Sequence, residues 1–222
     1  MTVLLLDVDN TLLDNDRMES DLRAHMDKVF GRECRLRYWS IFEEHRAALG
    51  YADYLGALQQ YRIEHPEHPG ILEMSFYLLD YPFSDRLYPG AMELVGRLGD
   101  QGTCVILSDG DAVFQPNKIR RSGLWQAVGG RVLVYVHKEE MLDDVRRKYP
   151  SGHYVMIDDK LRILAAMKAA WRDSLTAVWV AQGHYAADPG QLKHHGAADL
   201  RADHIGDLTG VDLVSGVARE RD

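Results

Sequence analysis

The sequence predicts an α/β protein of three layers, a parallel sheet with helices on both faces, interrupted by an inserted all-helical cap. Three observations predict it. The chain opens on Val3 to Leu6, an aliphatic run suited to a strand buried on both faces and followed at once by polar residues. Further apolar runs alternate with helical stretches from Cys104 to Val180. Strand alternating with helix favours parallel pairing, because each helix carries the chain back across the sheet. Between residues 16 and 86 the apolar positions recur at helical spacing instead, and no buried-strand run appears.

Each element has its own signal. Ser20 is a candidate cap for a helix carrying Leu22, Met26, Val29 and Phe30 and stopped by Gly31. A second helical stretch holds Tyr38, Trp39, Ile41 and Phe42. A third runs from Tyr51 to Ile63, ahead of the breakers His65-Pro66-Glu67-His68-Pro69-Gly70, and a fourth from Ile71 to Leu79. Four helices can form a small bundle with its own core. The chain returns to the main domain at Tyr88-Pro89-Gly90, where Pro89 is placed to start a helix from Ala91 to Leu98. Strands follow at Cys104–Leu107, Val132–Val136, Tyr154–Ile157 and Ala177–Val180, with helices over Val113–Arg121, Lys138–Lys148 and Lys160–Trp171. A short helix is expected between Gly206 and Val214. The domain division is therefore 1–15 plus 87–222 for the α/β core and 16–86 for the helical cap.

With 222 residues, 46% hydrophobic and 27% charged, the chain has the make-up of an ordinary globular protein. A net charge of −8 argues against nucleic acid as a partner, since broad phosphate-backbone binding needs a basic surface. The cysteines Cys34 and Cys104 have no CxxC spacing, which argues against a disulfide framework or a zinc site. The N-terminal run lacks the basic start of a signal peptide, and no apolar stretch reaches the ~20 residues of a membrane span. A cytoplasmic location, with no membrane partner, is the expectation. Oligomeric state is not legible.

Chemistry concentrates at strand ends, where ligands bind in open α/β sheets. Asp7 and Asp9 follow the first strand, and period-two geometry points them the same way if the strand continues that far. Two like charges there repel unless a cation lies between them, and magnesium held by carboxylates and substrate phosphate is a common solution. Alone, Asp-x-Asp-Asn reads equally as a surface turn. Ser108 and Asp109 follow the second strand in Ser-Asp-Gly-Asp, where a hydroxyl and turn N–H groups can hold a phosphate oxygen. Lys138 follows the third strand and can neutralise a phosphoryl oxygen. Asp158-Asp159 follows the fourth. Acid, hydroxyl, lysine and acid at four successive strand ends are hard to attribute to accident. The ten histidines, by contrast, show no zinc-site spacing and read as solvated loop residues.

Asp-Val-Asp-Asn-Thr-Leu, Ser108, Lys138 and Asp158-Asp159 resemble the four ordered motifs of the haloacid dehalogenase superfamily, a match from Leu4 to about Gly183. The resemblance implies a Rossmann-like core with a type 1 helical cap. It implies magnesium-dependent hydrolysis of a small phosphorylated metabolite, with Asp7 as nucleophile forming an aspartyl-phosphate and Asp9 as acid and then base. Magnesium would be bound by the Asp7 carboxylate, the Asp9 backbone carbonyl and Asp159, with Asp158 tuning it from behind. Ser108, Asp109 and Lys138 would hold the phosphate. The fourth motif departs from the family's usual Gly-Asp, which leaves the choice between Asp158 and Asp159 open. Lys118, on the helix after Ser108, rivals Lys138 as the phosphate-site lysine. A phosphomutase, or a catalytically weak binding or regulatory domain of the same fold, are the alternatives.

Overall fold

The computed structural model describes residues 2–214. Val3–Leu6 forms the central strand, β1. Its four residues are buried, Leu4 and Leu6 within one apolar cluster and Val3 and Leu5 within the other. That two-sided burial is what a strand without polar alternation requires, and it fixes the three-layer architecture. The other strands are β2 (Thr103–Asp109), β3 (Val132–Tyr135), β4 (Tyr154–Asp158), β5 (Leu175–Val180) and β6 (Leu200–Ala202). They form one sheet in the order β3-β2-β1-β4-β5-β6, every pair parallel. The chain steps outward from β1 in one direction, then jumps back to β4 and continues in the other. β1 thus lies at the switch point, and its carboxyl end opens into the crevice between the two halves.

Between β1 and β2 run α1 (Asn15–Val29), α2 (Arg32–Leu49), α3 (Tyr54–Glu64), α4 (Ile71–Asp80) and, back on the sheet, α5 (Ala91–Gln101). The expected cap at Ser20 is wrong: α1 begins earlier, at Asn15. The Asp14 carboxylate accepts from the backbone N–H of Arg17 at 2.8 Å, so Asp14 caps the helix and Ser20 lies inside it. Asp53 caps α3 in the same way, accepting from Gly56 N at 2.7 Å, which sets its start three residues after Tyr51. Nor is the bundle's core separate. Its buried residues belong to the same apolar cluster as Leu4 and Leu6 of the sheet. The joint is aromatic: Tyr54 packs on Phe114 with ring centroids 5.0 Å apart, and Phe83 meets Phe114 at 5.8 Å.

The return to the core runs through Tyr88-Pro89-Gly90 as expected, but the residue that caps α5 is Gly90, and Pro89, expected to start the helix, lies outside it. Gly90 has φ +83°, and a Cβ there would lie 2.7 Å from Gly206 Cα, so α5 can start against that backbone only from glycine. The remaining helices are α6 (Phe114–Arg121), α7 (Leu124–Ala127), α8 (Leu142–Lys148), α9 (Leu161–Trp171) and α10 (Pro189–Leu192). Lys138 opens a 3-10 turn, Lys138–Glu140, rather than α8 itself. Strand β6 was not foreseen, because Leu200–Ala202 is too short and too exposed to show an apolar run. The expected short helix near Gly206 is the 3-10 segment Ile205–Gly210. Residues 215–222 of the expected core lie outside the described residues. Among the described residues no helix is long and apolar enough to cross a membrane.

Gln182 ties the first loop to the far half of the sheet. Its amide donates to the carbonyls of Asn10 (3.1 Å) and Thr11 (2.7 Å), and its oxygen accepts from Ile205 N (3.0 Å). Gln182→Leu keeps the volume but strands these buried backbone groups. It is expected to cost about 3 kcal/mol in urea unfolding, and a loss under 1 kcal/mol would show that the clamp carries little stability.

Candidate active site

The site lies where β1, β2 and β4 end. Asp7 prolongs the pairing of β1, its N–H donating to Ile157 O at 3.0 Å. The backbone then turns sharply through Asn10, at φ +59°. Asp7 and Asp9 meet different cations. Lys138 Nζ lies 2.5 Å from Asp7 Oδ1, 2.7 Å from Asp158 Oδ2 and 3.2 Å from the Leu107 carbonyl. Its approach to Asp158 is a charge contact without hydrogen-bond alignment at Oδ2. Lys118 Nζ lies 2.7 Å from Asp9 Oδ1 and donates to Asn15 Oδ1 at 3.0 Å. The two rival lysines are therefore both in the site, one per aspartate.

Burial sets the electrostatics. Asp7 is 4% exposed, Asp158 and Asp159 0%, and Lys138 1%. Burial alone would pull the Lys138 ammonium down, yet Asp158 and Asp7 beside it hold its pKa well above the ordinary lysine value. Burial pushes Asp158 up to about 6, even with Lys138 opposing that shift. Asp159 is driven well above the carboxylate range, again by burial first, with Lys160 pulling the other way. Asp109 is raised for the same reason, and its carboxylate is spent on the Lys138 backbone N–H at 2.8 Å. Ser108 and Asp109 are the last residues of β2 rather than residues beyond it, and Asp158 is the last of β4.

Asp158 and Asp159 also differ. Asp158 Oδ1 accepts from Lys160 N at 2.8 Å, while its Oδ2 faces Lys138. Both carboxylate oxygens of Asp159 are buried without a hydrogen-bond partner. Oxygens of Asp7, Asp158 and Asp159 lie within 4.8 Å of one another. Two orphaned anionic oxygens in a dry site are costly, and an all-oxygen donor set of this kind suits a hard divalent cation. The residues present therefore fit a hard divalent cation: Asp159 offers two oxygens without partners beside Asp7, whereas Asp158 is engaged by Lys160 N and faces Lys138.

Several residues of the site escaped the sequence reading. Thr11 joins the first and last motifs: its hydroxyl donates to Asp7 Oδ2 at 2.9 Å and accepts from Asp159 N at 3.0 Å. It stands inside the Asp-x-Asp-Asn-Thr segment, so its proximity was legible even though its role was not. Gln115 donates to Ser108 Oγ at 2.9 Å and Asp9 Oδ2 at 3.3 Å, and nothing in a helical glutamine signals this. Asp16 at the start of α1 meets His184 Nδ1 of the core at 2.6 Å. A cavity of about 570 Å³ opens from Asp9, Asp109 and Gln115 toward α1 and α2, large enough for a small metabolite.

Residues 1–170 match the family model of the haloacid dehalogenase-like hydrolases. No curated protein sequence matches the chain. Among solved structures, a haloacid dehalogenase-like hydrolase from Burkholderia xenovorans LB400 is 59% identical, with TM-score 0.90 over 96% of this chain and 99% of its own. The HAD-hydrolase YfnB of Bacillus subtilis, bound to magnesium, is 18% identical with TM-score 0.61 over 93% of this chain and 96% of that one. The L-2-haloacid dehalogenase of Xanthobacter autotrophicus, with chloropropionic acid covalently bound, is 15% identical with TM-score 0.58 over 99% of each chain. The last two share the fold. With most of its length matched by the family model and a solved relative sharing more than half of its residues, the chain belongs to the haloacid dehalogenase-like hydrolases.

Proposed function

We propose that the protein is a magnesium-dependent phosphohydrolase that cleaves a small phosphomonoester through an aspartyl-phosphate on Asp7. The observation that carries this reading is Asp159, whose two buried oxygens lack partners beside Asp7. A divalent ion bound there would attract a phosphoryl oxygen and offset its charge.

The chain's own residues supply the rest. Lys138 and Thr11 hold the Asp7 carboxylate in one orientation, so attack on phosphorus needs little reorganisation. The Ser108 hydroxyl and the Lys138 ammonium line the phosphate position and balance its charge. Asp9, aimed by Lys118 and Gln115 and partly exposed to the cavity, donates a proton to the departing oxygen. It then takes one from water, which attacks phosphorus and frees Asp7.

The Xanthobacter relative removes halide from a carbon, and its fold alone does not decide between the two reactions. Halide displacement needs no acid at Asp9, whereas an alkoxide leaving group does. The two free cysteines, Cys34 and Cys104, suit the cytoplasmic setting we infer.

Release of phosphate from p-nitrophenyl phosphate is expected with magnesium, and chloride release from 2-chloropropionate is not. Asp7→Asn should lower phosphate release by about 10³-fold or more, and retention of activity would remove Asp7 as the nucleophile. Asp9→Asn should cost roughly 10²- to 10⁴-fold. Normal turnover by this variant would exclude the acid–base step.

Magnesium at about 100 times its dissociation constant should raise the melting temperature by roughly 5–10 °C. Asp159→Asn should abolish that rise. The raised carboxylate pKa values set the sign with pH. Below about 6, protons occupy Asp158 and, more firmly, Asp159. Magnesium must displace them, so the rise should be smaller at pH 6 than at pH 8. Differential scanning fluorimetry at the two pH values checks this, and a larger rise at pH 6 would contradict it.

A further inference from the structure

The cavity wall opposite the reacting carboxylates carries arginines that the proposed chemistry does not use. Arg23 on α1 and Arg46 on α2 both line it. The Arg23 guanidinium lies 3.7 Å over the Trp39 ring. Trp39 stacks on Phe42 at 5.1 Å, and Phe42 packs on Tyr54 at 4.7 Å. Tyr54 meets Phe114 of the core, so an aromatic column fixes the height of Arg23 above the site. The carboxylate nearest Arg23 is Glu19, 4.0 Å away, beyond hydrogen-bonding distance. Glu19 is itself engaged, its Oε1 accepting from the Tyr54 hydroxyl at 2.7 Å. Burial lowers the pKa of Arg23 more than Glu19 restores it. This is a stacked guanidinium fork without a matched acceptor among the described residues.

Arg46 repeats the pattern. Its Nη1 stands 3.8 Å from Glu43, again too far for a hydrogen bond, while Nη2 donates to the Tyr185 hydroxyl at 2.7 Å. Guanidinium planes held by stacking or by one hydrogen bond are suited to bidentate recognition of an oxyanion. With two guanidinium groups offset by two nearby glutamates, the wall is close to neutral. That balance suits a singly charged carboxylate better than a second phosphate.

Helix geometry gives the span. Asn15, at the floor beside Lys118, and Arg23 are two turns apart on α1, roughly 12 Å along the axis. The arginine side chain leans back toward the helix N-terminus and shortens that distance.

We propose that the substrate is a phosphorylated carboxylic acid whose carboxylate, remote from the scissile phosphate, is bound by Arg23 and Arg46. The inference rests on the phosphohydrolase reading, and the experiment separates the two. Steady-state kinetics with magnesium are measured on two matched pairs. The pairs are 3-phosphoglycerate with glycerol 3-phosphate, and 6-phosphogluconate with sorbitol 6-phosphate, each differing only by carboxylate against CH₂OH. In at least one pair the acid should be preferred by roughly 10- to 100-fold in kcat/KM, mainly through KM. Arg23→Met and Arg46→Met should each erase most of that preference, and Arg23→Lys should restore part of it. The ratio is taken within one preparation, so partial unfolding lowers both members alike. Wild type that cleaves p-nitrophenyl phosphate but shows no acid preference in either pair overturns this inference alone. So does a preference that survives both methionine substitutions, or a stronger preference for the amine glucosamine 6-phosphate, which would assign recognition to Glu19 and Glu43. Wild type that releases phosphate from none of these esters overturns the phosphohydrolase reading and this inference with it.

Discussion

The structure is organised by the cost of burying three carboxylates around one lysine. Lys138 answers Asp7 and Asp158 at 2.5 and 2.7 Å, while the Asp159 oxygens have no hydrogen-bond partner among the described residues and only the charge of Lys160 to offset them. Taking such charges from water is expensive unless each finds a partner, so the group persists only where the scaffold over-determines its geometry. The strand order does this. With β1 between β2 and β4, Asp7 is flanked by the ends of both neighbours. Ser108 and Asp109 approach from one side and Asp158 and Asp159 from the other. Thr11 then bolts Asp7 to the backbone of Asp159, and Asp109 bolts the backbone of Lys138 to β2. The charged groups come from three places, the ends of β1 and β4 and the turn after β3, so the cluster cannot relax by moving one loop.

The helices between β1 and β2 are tied to this centre at more than one level. Near the hinge, Asp16 at the start of α1 meets His184 of the core, and Asn10 donates to the same carboxylate at 2.9 Å. At the far rim of the cavity Arg46 meets Tyr185, and Gly50 leaves no room for a side chain against the His137 ring. His137 directly precedes Lys138, so the rim of the cap presses on the loop that carries the buried ammonium. Below, Tyr54 and Phe114 join the apolar interiors. Phe114 opens α6, the helix that also carries Gln115 and Lys118, so cap packing and the placement of Asp9's partners are one event.

How much of this was legible follows from where each residue sits. Asp7, Lys138 and the Asp158-Asp159 pair were readable because buried parallel strands announce themselves as aliphatic runs, and the residues after them must face the crevice. Lys118, Gln115 and Asn15 were harder, because a polar residue on a helix has no sequence mark that separates a solvated face from one turned inward. Lys118 entered only as a rival, and the structure makes the rivalry moot by giving each lysine its own aspartate. The difference between Asp158 and Asp159 was similarly out of reach, since it depends on a backbone N–H two residues on, that of Lys160. The misplaced cap at Ser20 has a simple cause: Asp14 offers the same side-chain acceptor earlier, and burial of Asn15 and Met18 rewards the longer helix. Strand β6 depends on pairing with β5 and not on its own apolar content.

Asp7 and Asp9 show how two identical side chains, two residues apart, are given different work. The Asp7 side chain is 6% exposed, with both oxygens engaged by Lys138 and Thr11, a dry and fixed environment in which a carboxylate can form a covalent bond without first shedding water. The Asp9 side chain is 26% exposed and reaches the cavity, where protons can arrive from substrate and leave to solvent. Had the backbone continued as a strand past Leu6, both would have shared one face and one environment. The chain instead leaves the strand beyond β1 and turns at once, with Asn10, at φ +59°, held by Gln182 below and Asp16 above. On the proposed mechanism, the division of work between Asp7 and Asp9 follows from these two environments and not from any difference in side-chain chemistry.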